Sequence, residues 1–451
     1  MNRGIRTDAA GFQKIGDQPL PVFSREADGL TLFYAPGYLA AARPDKAEEI
    51  RGILTGDLPF GCIAAHYLIR SAVSAESTWR EIHDPEYYEP VCLALYPTLS
   101  CDLDCTYCFA RHEHNGSQLL YTAVMNSAWD VAANCEEKGI PFTVVFHGGG
   151  EPSLDPRLPH MLSELRGISA EVGIPFRSYI ATNGVMEAEK ARWIAENFDE
   201  VGLSLDGMPE IQNRQRPLRG GRDSSPWVER TAAVLRDVKG RLSVRVTVLP
   251  ENFSLIPDIA ACCRETLGTD VLRVEPVYGQ KTEAGAAEEF CDAFLQARRE
   301  AREAGMRLEY SGSRIREVHG RYCRIFNQTL LLVPPQGCSA CFLLSSESEA
   351  ERKGLHRIGD PALFDRLSRE DPACGECFNR FHCARGCPDL CPVMTPELQD
   401  AGSFRCRVNR TMAEAELLET ARLGLYETAR THGFAGIQLI PADGQPPFAE
   451  R

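Results

Sequence analysis

From residue 91 onward, apolar and polar positions fall into a regular rhythm. Short runs rich in β-branched residues occur at 91–97, 142–146, 178–182, 201–205, 242–249 and 271–277. Each is followed by a longer stretch of helical length and spacing, at about 116–139, 156–173, 185–197, 226–239, 252–267 and 283–304. Six strand-then-helix units in order predict a parallel sheet with right-handed crossovers. Six are too few for the eight-stranded closed barrel, so the expected fold class is α/β, a partial (β/α)6 barrel open on one side. Chemistry in this architecture sits at the C-terminal ends of the strands.

The flanks read differently. In a small N-terminal α+β module, residues 1–90, apolar stretches at 20–23 and 30–34 predict strands, and 44–54 and 66–77 predict helices. The alternation stops after about 310, where a cysteine-dense region begins. Ala, Glu, Leu and Arg at helical spacing predict a terminal helix over 407–432, and the Pro-, Gly- and Ala-rich tail 441–451 predicts disorder. The expected division is 1–90, the module; 91–310, the barrel; 311–410, the cysteine-rich domain; and 411–451, helix and tail.

Composition narrows the class. The hydrophobic fraction of 43% and charged fraction of 25% over 451 residues suit a soluble protein of two or three domains. A net charge of −14 argues against nucleic-acid or anionic-membrane binding. The local patch Arg214, Arg216, Arg219 and Arg222 reads as a ligand-facing loop or a solvated surface. No apolar run reaches the ~18 residues of a membrane span, and residues 1–13 lack the apolar core of a signal peptide. The expected location is the cytoplasm. In a reducing compartment, eighteen cysteines are unlike a disulfide framework. Nine fall between Cys323 and Cys406 and three between Cys101 and Cys108, the clustering that metal or iron–sulfur ligation produces. Cys62, Cys92, Cys135, Cys262, Cys263 and Cys291 lie among apolar residues and read as inert.

Cys101, Cys105 and Cys108 follow the first barrel strand with C-x3-C-x2-C spacing. Zinc and four-iron clusters both normally take four ligands. Three thiols in one loop suggest a cluster with one iron open, the alternative being a zinc knuckle that borrows a distant ligand. The second strand ends in Phe146-His147-Gly148-Gly149-Gly150-Glu151-Pro152. Consecutive glycines permit close backbone approach to a ligand, and a carboxylate there can accept from an ammonium group. A plain tight turn accounts for the glycines equally well, and His147 reads as structural.

These two motifs resemble the radical S-adenosylmethionine (SAM) superfamily. So do Ala181-Thr182-Asn183-Gly184 after strand three, Ser204-Leu205-Asp206-Gly207 after strand four, and the loop Asn213-Arg214-Gln215-Arg216-Pro217. The resemblance implies a [4Fe–4S] cluster on Cys101, Cys105 and Cys108, with SAM chelating the fourth iron. It also implies that Gly149, Gly150 and Glu151 hold the amino group of SAM. Asn183 belongs to the strand-three motif, Ser204 and Asp206 contact ribose or carboxylate, Arg216 meets the carboxylate, and Tyr107 flanks the adenine. A second array, Cys374-x2-Cys377-x5-Cys383-x3-Cys387 and then Cys406, with Cys323 and Cys341 upstream, resembles the SPASM extension of the superfamily. By that analogy Cys374, Cys377, Cys383 and Cys406 hold one auxiliary [4Fe–4S] cluster, and Cys323, Cys341 and Cys387 a second. Gly337 to Cys341 leaves three residues where the family commonly has four, and Cys338 and Cys391 are surplus. Either surplus cysteine could complete the second cluster, or its iron is open. A zinc ribbon of Cys374/Cys377 with Cys383/Cys387 is the bland alternative.

The layout implies an enzyme that cleaves SAM to a 5′-deoxyadenosyl radical and oxidatively modifies a peptide or protein. A thioether or carbon–carbon crosslink in a ribosomally made peptide is the favoured reaction. Formylglycine formation in a sulfatase is the alternative, and it needs an Asp base that the sequence does not identify. Glu275 and Tyr278, at the end of strand six, are candidate catalytic groups on the substrate side. Auxiliary clusters give the substrate's electron an exit, and a low-potential donor such as flavodoxin or ferredoxin is the expected partner. The N-terminal module either grips a leader peptide by strand addition or is scaffold. A non-enzymatic iron–sulfur carrier or zinc scaffold would explain the cysteines but not Gly149–Glu151 or the strand-four motif. A small-molecule substrate is a further option.

Overall fold

Two sheets organise the chain. The computed structural model describes residues 11–15, 20–82, 88–111, 114–277, 283, 285–319, 328–354, 356, 372–384, 403–431 and 436–442. In the first sheet, β1 (Gln13–Lys14), β2 (Phe23–Ala27), β3 (Leu30–Ala35) and β4 (Tyr38–Ala42) run antiparallel. Helices Pro44–Thr55 and Ile63–Ile82 cover one face, setting Ile50, Leu68 and Ala72 against Phe33, Ala40 and Ala42. The helix Phe404–Thr431 covers the other, with Ala413, Leu417 and Ala421 against Phe23, Leu32 and Tyr34.

The second sheet is the expected parallel one. β5 (Cys92–Leu95), β6 (Phe142–Phe146), β7 (Phe176–Thr182), β8 (Glu200–Ser204), β9 (Ser243–Val248) and β10 (Val271–Pro276) are consecutive parallel neighbours. Alternation assigns the two faces. Phe142, Val144 and Phe146 are buried, whereas Thr143 and Val145 are half-buried on the other side. The buried set packs with Val131, Leu162, Ile194 and Ile259 of the covering helices, each such side chain contributing roughly 1.5–3 kcal/mol of burial.

Three further strands lengthen this sheet. β11 (Arg307–Glu309) lies parallel beside β10, while β12 (Thr329–Val333) returns to pair parallel with β5 and carries β13 (Gly337–Ser339) antiparallel. Among the described residues the sheet therefore ends at β11 and β13 and stays open. Chain beyond 310, expected to stand apart, thus supplies edge strands to the barrel sheet.

Other differences have local causes. The strand expected at 20–23 begins only at Phe23, because Pro21 cannot donate to a ladder. β4 is Tyr-Leu-Ala-Ala-Ala, whose small residues fit between two covering layers but carry no β-branched signal. β14 (Ile437–Pro441) pairs antiparallel with β4, so the first sheet closes with the far end of the chain. The tail predicted as disordered lies, from 443, outside the described residues. Among the described residues no helix is long and apolar enough to cross a membrane.

Candidate active site

The three-cysteine loop follows β5 and lies on the 215–219 segment. Asp104 N donates to Pro217 O, Thr106 N to Gln215 O and Arg219 N to Asp102 O, all at 2.9 Å. Leu103 and Cys105 are buried with Leu218, and Cys101, Cys108 and Trp227 pack around them. Burial pushes the Cys101 thiol up to about 12 and Cys105 up to about 11, and raises Cys108 as well. The Arg216 charge opposes the rise at Cys105 and Cys108. A bound metal charge would favour the thiolates further.

The glycine loop after β6 rests directly on this segment. Gly149 has φ +86°, and a Cβ at Gly150 would sit 2.1 Å from Ser100 O. Glu151 N donates to Ser100 O at 2.7 Å. The Glu151 carboxylate is 2% exposed. It accepts from Ser153 N (3.1 Å), Thr182 Oγ1 (2.8 Å) and Asn183 N (2.7 Å). Burial raises its pKa, and these donors oppose the rise. Three of a carboxylate's roughly four acceptor positions are thus used within the chain. The side chain brackets the loop to the end of β7, so contact with a ligand's amino group falls mainly to the loop backbone. Asn183 adds a tie: its Nδ2 donates to Asp102 Oδ1 at 2.7 Å and approaches Cys101 Sγ at 3.8 Å.

Beyond β8 lies a second network. Asp206, 1% exposed, accepts from Tyr107 Oη (2.7 Å), Gln215 Nε2 (2.8 Å) and Thr247 N (3.2 Å). Arg216 Nη1 donates to the same Tyr107 hydroxyl at 2.7 Å, while its buried Nε has no hydrogen-bond partner among the described residues. The half-buried Ser204 ends β8 opposite Arg245. Gln212 and Gln215 were missed from the sequence, yet both are buried and Gln212 Oε1 accepts from Asp206 N at 2.9 Å. Their three-residue spacing on the short helix Pro209–Gln215, just after Asp206, was the available signal. His147 stacks on Tyr96 with ring centres 6.2 Å apart and lies 5.9 Å from Phe342. Burial pulls its pKa down to about 3, and its buried Nδ1 has no hydrogen-bond partner among the described residues.

Glu275, near the end of β10, is also buried. Its Oε1 accepts from Ser311 N at 2.7 Å, and its Oε2 lies 3.9 Å from Arg405 Nη1 with no hydrogen bond among the described residues. Among the cysteines expected as auxiliary ligands, Cys377 N donates to Cys374 O at 3.1 Å, and Cys377 lies within electrostatic reach of Cys383 and Cys406. These contacts tie Cys377 to each of the other three. Cys341 is buried with Ala94 and Tyr96 on one face of the sheet, and Leu343 N donates to its sulfur at 3.4 Å. Cys338 instead packs against the large core on the opposite face, its Sγ donating to His356 O at 3.0 Å. Cys323, Cys387, Cys391 and Tyr278 lie outside the described residues.

Thiols, a glycine loop and a buried Asp–Tyr–Arg network at the strand ends of an open parallel sheet define a cofactor-binding α/β domain. Residues 95–263 match the radical SAM superfamily, and the chain carries a radical SAM domain over that span. It is similar to the cysteine-type anaerobic sulfatase-maturating enzyme of Clostridium perfringens, with 30% identity over 165 residues, 35% of this chain and 44% of that one. The match thus spans less than half the length of that curated relative. The structure of native anSMEcpe with bound AdoMet and Cp18Cys peptide superposes with a TM-score of 0.58 at 18% identity, covering 74% of this chain and 98% of that one. Streptococcus suis SuiB bound to precursor peptide SuiA gives 0.50 at 14% identity, covering 81% and 87%. At these identities the likeness is one of fold.

Proposed function

We propose that the chain is a radical SAM enzyme that oxidatively modifies a peptide, forming a thioether or carbon–carbon crosslink in a ribosomally made substrate. The observation that carries this reading is the convergence of three thiols, the Gly149–Glu151 loop and Arg216 at the strand ends. The donor set fits the cofactors. Cys101, Cys105 and Cys108 would hold a cluster with one open iron, and the unpartnered Arg216 Nε suits the carboxylate of SAM. Cys374, Cys377, Cys383 and Cys406 would hold an auxiliary cluster, with Cys341 serving another. Bound there, the cluster and SAM would supply a 5′-deoxyadenosyl radical that takes a hydrogen atom from the substrate.

The chain's own residues would do the rest. Tyr107, Asp206 and Arg216 fix one another, so the cation is positioned before ligand arrives. Glu275, whose Oε2 has no hydrogen bond among the described residues, would take the substrate's proton. The first sheet has both faces covered, and among the described residues β14 pairs on one side only, leaving an edge suited to strand addition by a leader peptide. Formylglycine formation is the second reading, favoured by the identity to the sulfatase-maturating enzyme.

The test is anaerobic reconstitution, iron counting, and addition of SAM with a strong reductant. About twelve irons per chain and 5′-deoxyadenosine production are expected. Zinc in place of iron, or iron without SAM cleavage, would overturn the reading. A precursor-type peptide and a sulfatase-type Cys peptide, offered in parallel, separate the two reactions.

A further inference from the structure

One buried amide is aimed at a sulfur. Asn409, 1% exposed on the helix Phe404–Thr431, lies three residues past Cys406. Its Nδ2 donates to Cys383 Sγ at 3.2 Å, and its Oδ1 accepts from Tyr310 Oη at 2.6 Å. Its backbone oxygen accepts from Asn379 Nδ2 at 3.0 Å, and Asn379 Oδ1 accepts from Ser313 Oγ at 2.9 Å. Ser313 in turn bridges to Cys383. A Cβ on Gly312 would lie 2.4 Å from both Asn409 Oδ1 and Tyr310 Oη, so the missing side chain leaves room for that pair.

The geometry decides which end of the amide meets the sulfur. With its oxygen taken by the tyrosine hydroxyl, Asn409 presents only N–H to Cys383. A thiolate accepts and cannot donate, so this orientation suits a metal-bound sulfur. Hydrogen bonds to cluster sulfurs favour the more negative, reduced state and so raise the reduction potential. The Tyr310 hydroxyl also accepts from Arg405 Nη1 at 3.4 Å, and Arg405 faces Glu275. Contacts therefore run from the substrate-side carboxylate to the auxiliary sulfur.

We propose that Asn409, held by Tyr310, is a positioning residue that raises the potential of the cluster on Cys374, Cys377, Cys383 and Cys406. The inference rests on the reading of those cysteines as ligands.

The experiment uses the full chain with Cys101, Cys105 and Cys108 replaced by Ala, which leaves only auxiliary signals. Asn409→Leu and Tyr310→Phe are added singly, and iron per chain and the midpoint from an EPR-monitored redox titration are measured. Asn409→Leu should keep its iron and shift the midpoint to more negative potential, and Tyr310→Phe should shift it less in the same direction. An unmoved midpoint in Asn409→Leu with iron retained overturns the proposal. Should Asn409→Leu lose iron, Tyr310→Phe decides: a negative shift supports the proposal and an unmoved midpoint overturns it. Cys383→Ala checks the ligand reading separately. If it costs no iron, that reading fails and the inference falls with it.

Discussion

Gly150→Ala tests the central packing claim, that two functional loops touch backbone to backbone. The added Cβ would lie 2.1 Å from Ser100 O, 2.7 Å from Leu99 C and 2.7 Å from Thr98 O. All three are main-chain atoms, so no side chain can swing aside. A carbon and a carbonyl oxygen settle no closer than about 3.3 Å, so the loops must part by roughly 1 Å. That movement breaks the 2.7 Å bond from Glu151 N to Ser100 O, worth about 1 kcal/mol, within a total overpacking cost of about 1–3 kcal/mol. It also displaces Cys101, the next residue, relative to the glycine loop. A 1 Å misplacement typically costs about 10²-fold in rate. The assay is 5′-deoxyadenosine formation by chromatography, with iron content and thermal unfolding in parallel. Gly167→Ala is the control, since nothing lies within 4 Å of its Cβ on the helix Leu158–Val172. It should stabilise by up to about 1 kcal/mol and leave cleavage unchanged. Wild-type SAM cleavage by Gly150→Ala would refute the reasoning.

His147→Gln should flatten the acid limb of stability. Burial holds His147 neutral down to about pH 3 in the folded chain, against an ordinary 6.5. Below pH 6.5 the unfolded chain takes up a proton that the folded one refuses, so stability falls with pH, by about 2 kcal/mol between 6.5 and 5. Urea midpoints at pH 7 and pH 5 measure it, and equal pH dependence in the two proteins would count against it. Tyr107→Phe removes the bridge between Asp206 and Arg216, at a cost of about 1–3 kcal/mol. SAM binding to the reconstituted protein should weaken about tenfold or more by calorimetry, and unchanged affinity would contradict the network's role. Cys341→Ala should lower the iron count by up to about four per chain, while Cys338→Ala should keep it. The reverse pattern would favour Cys338 over Cys341 as the ligand.

What the sequence made legible depended on the range of the interaction. β5 to β10 follow from local alternation, since Val144 and Phe146 face one way and Val145 the other whatever their partners are. β12 does not, because its register of Thr329 against Cys92 joins segments more than two hundred residues apart. β14 is hidden for the same reason, and β4 because burial between two layers selects alanine, which reads as helical. The site divides along a similar line. Motif spacing located Cys101, Glu151, Asp206 and Arg216, but it carries no information on where their hydrogen bonds point. Glu151 and Asp206 each take three bonds from within the chain, so both carboxylates organise loops before they could meet any ligand. Arg216 differs, because its Nε is buried and unsatisfied among the described residues. An unsatisfied buried donor costs about 1–3 kcal/mol, and a bound carboxylate would restore it. Of these residues, the arginine is the one whose energetics call for a ligand.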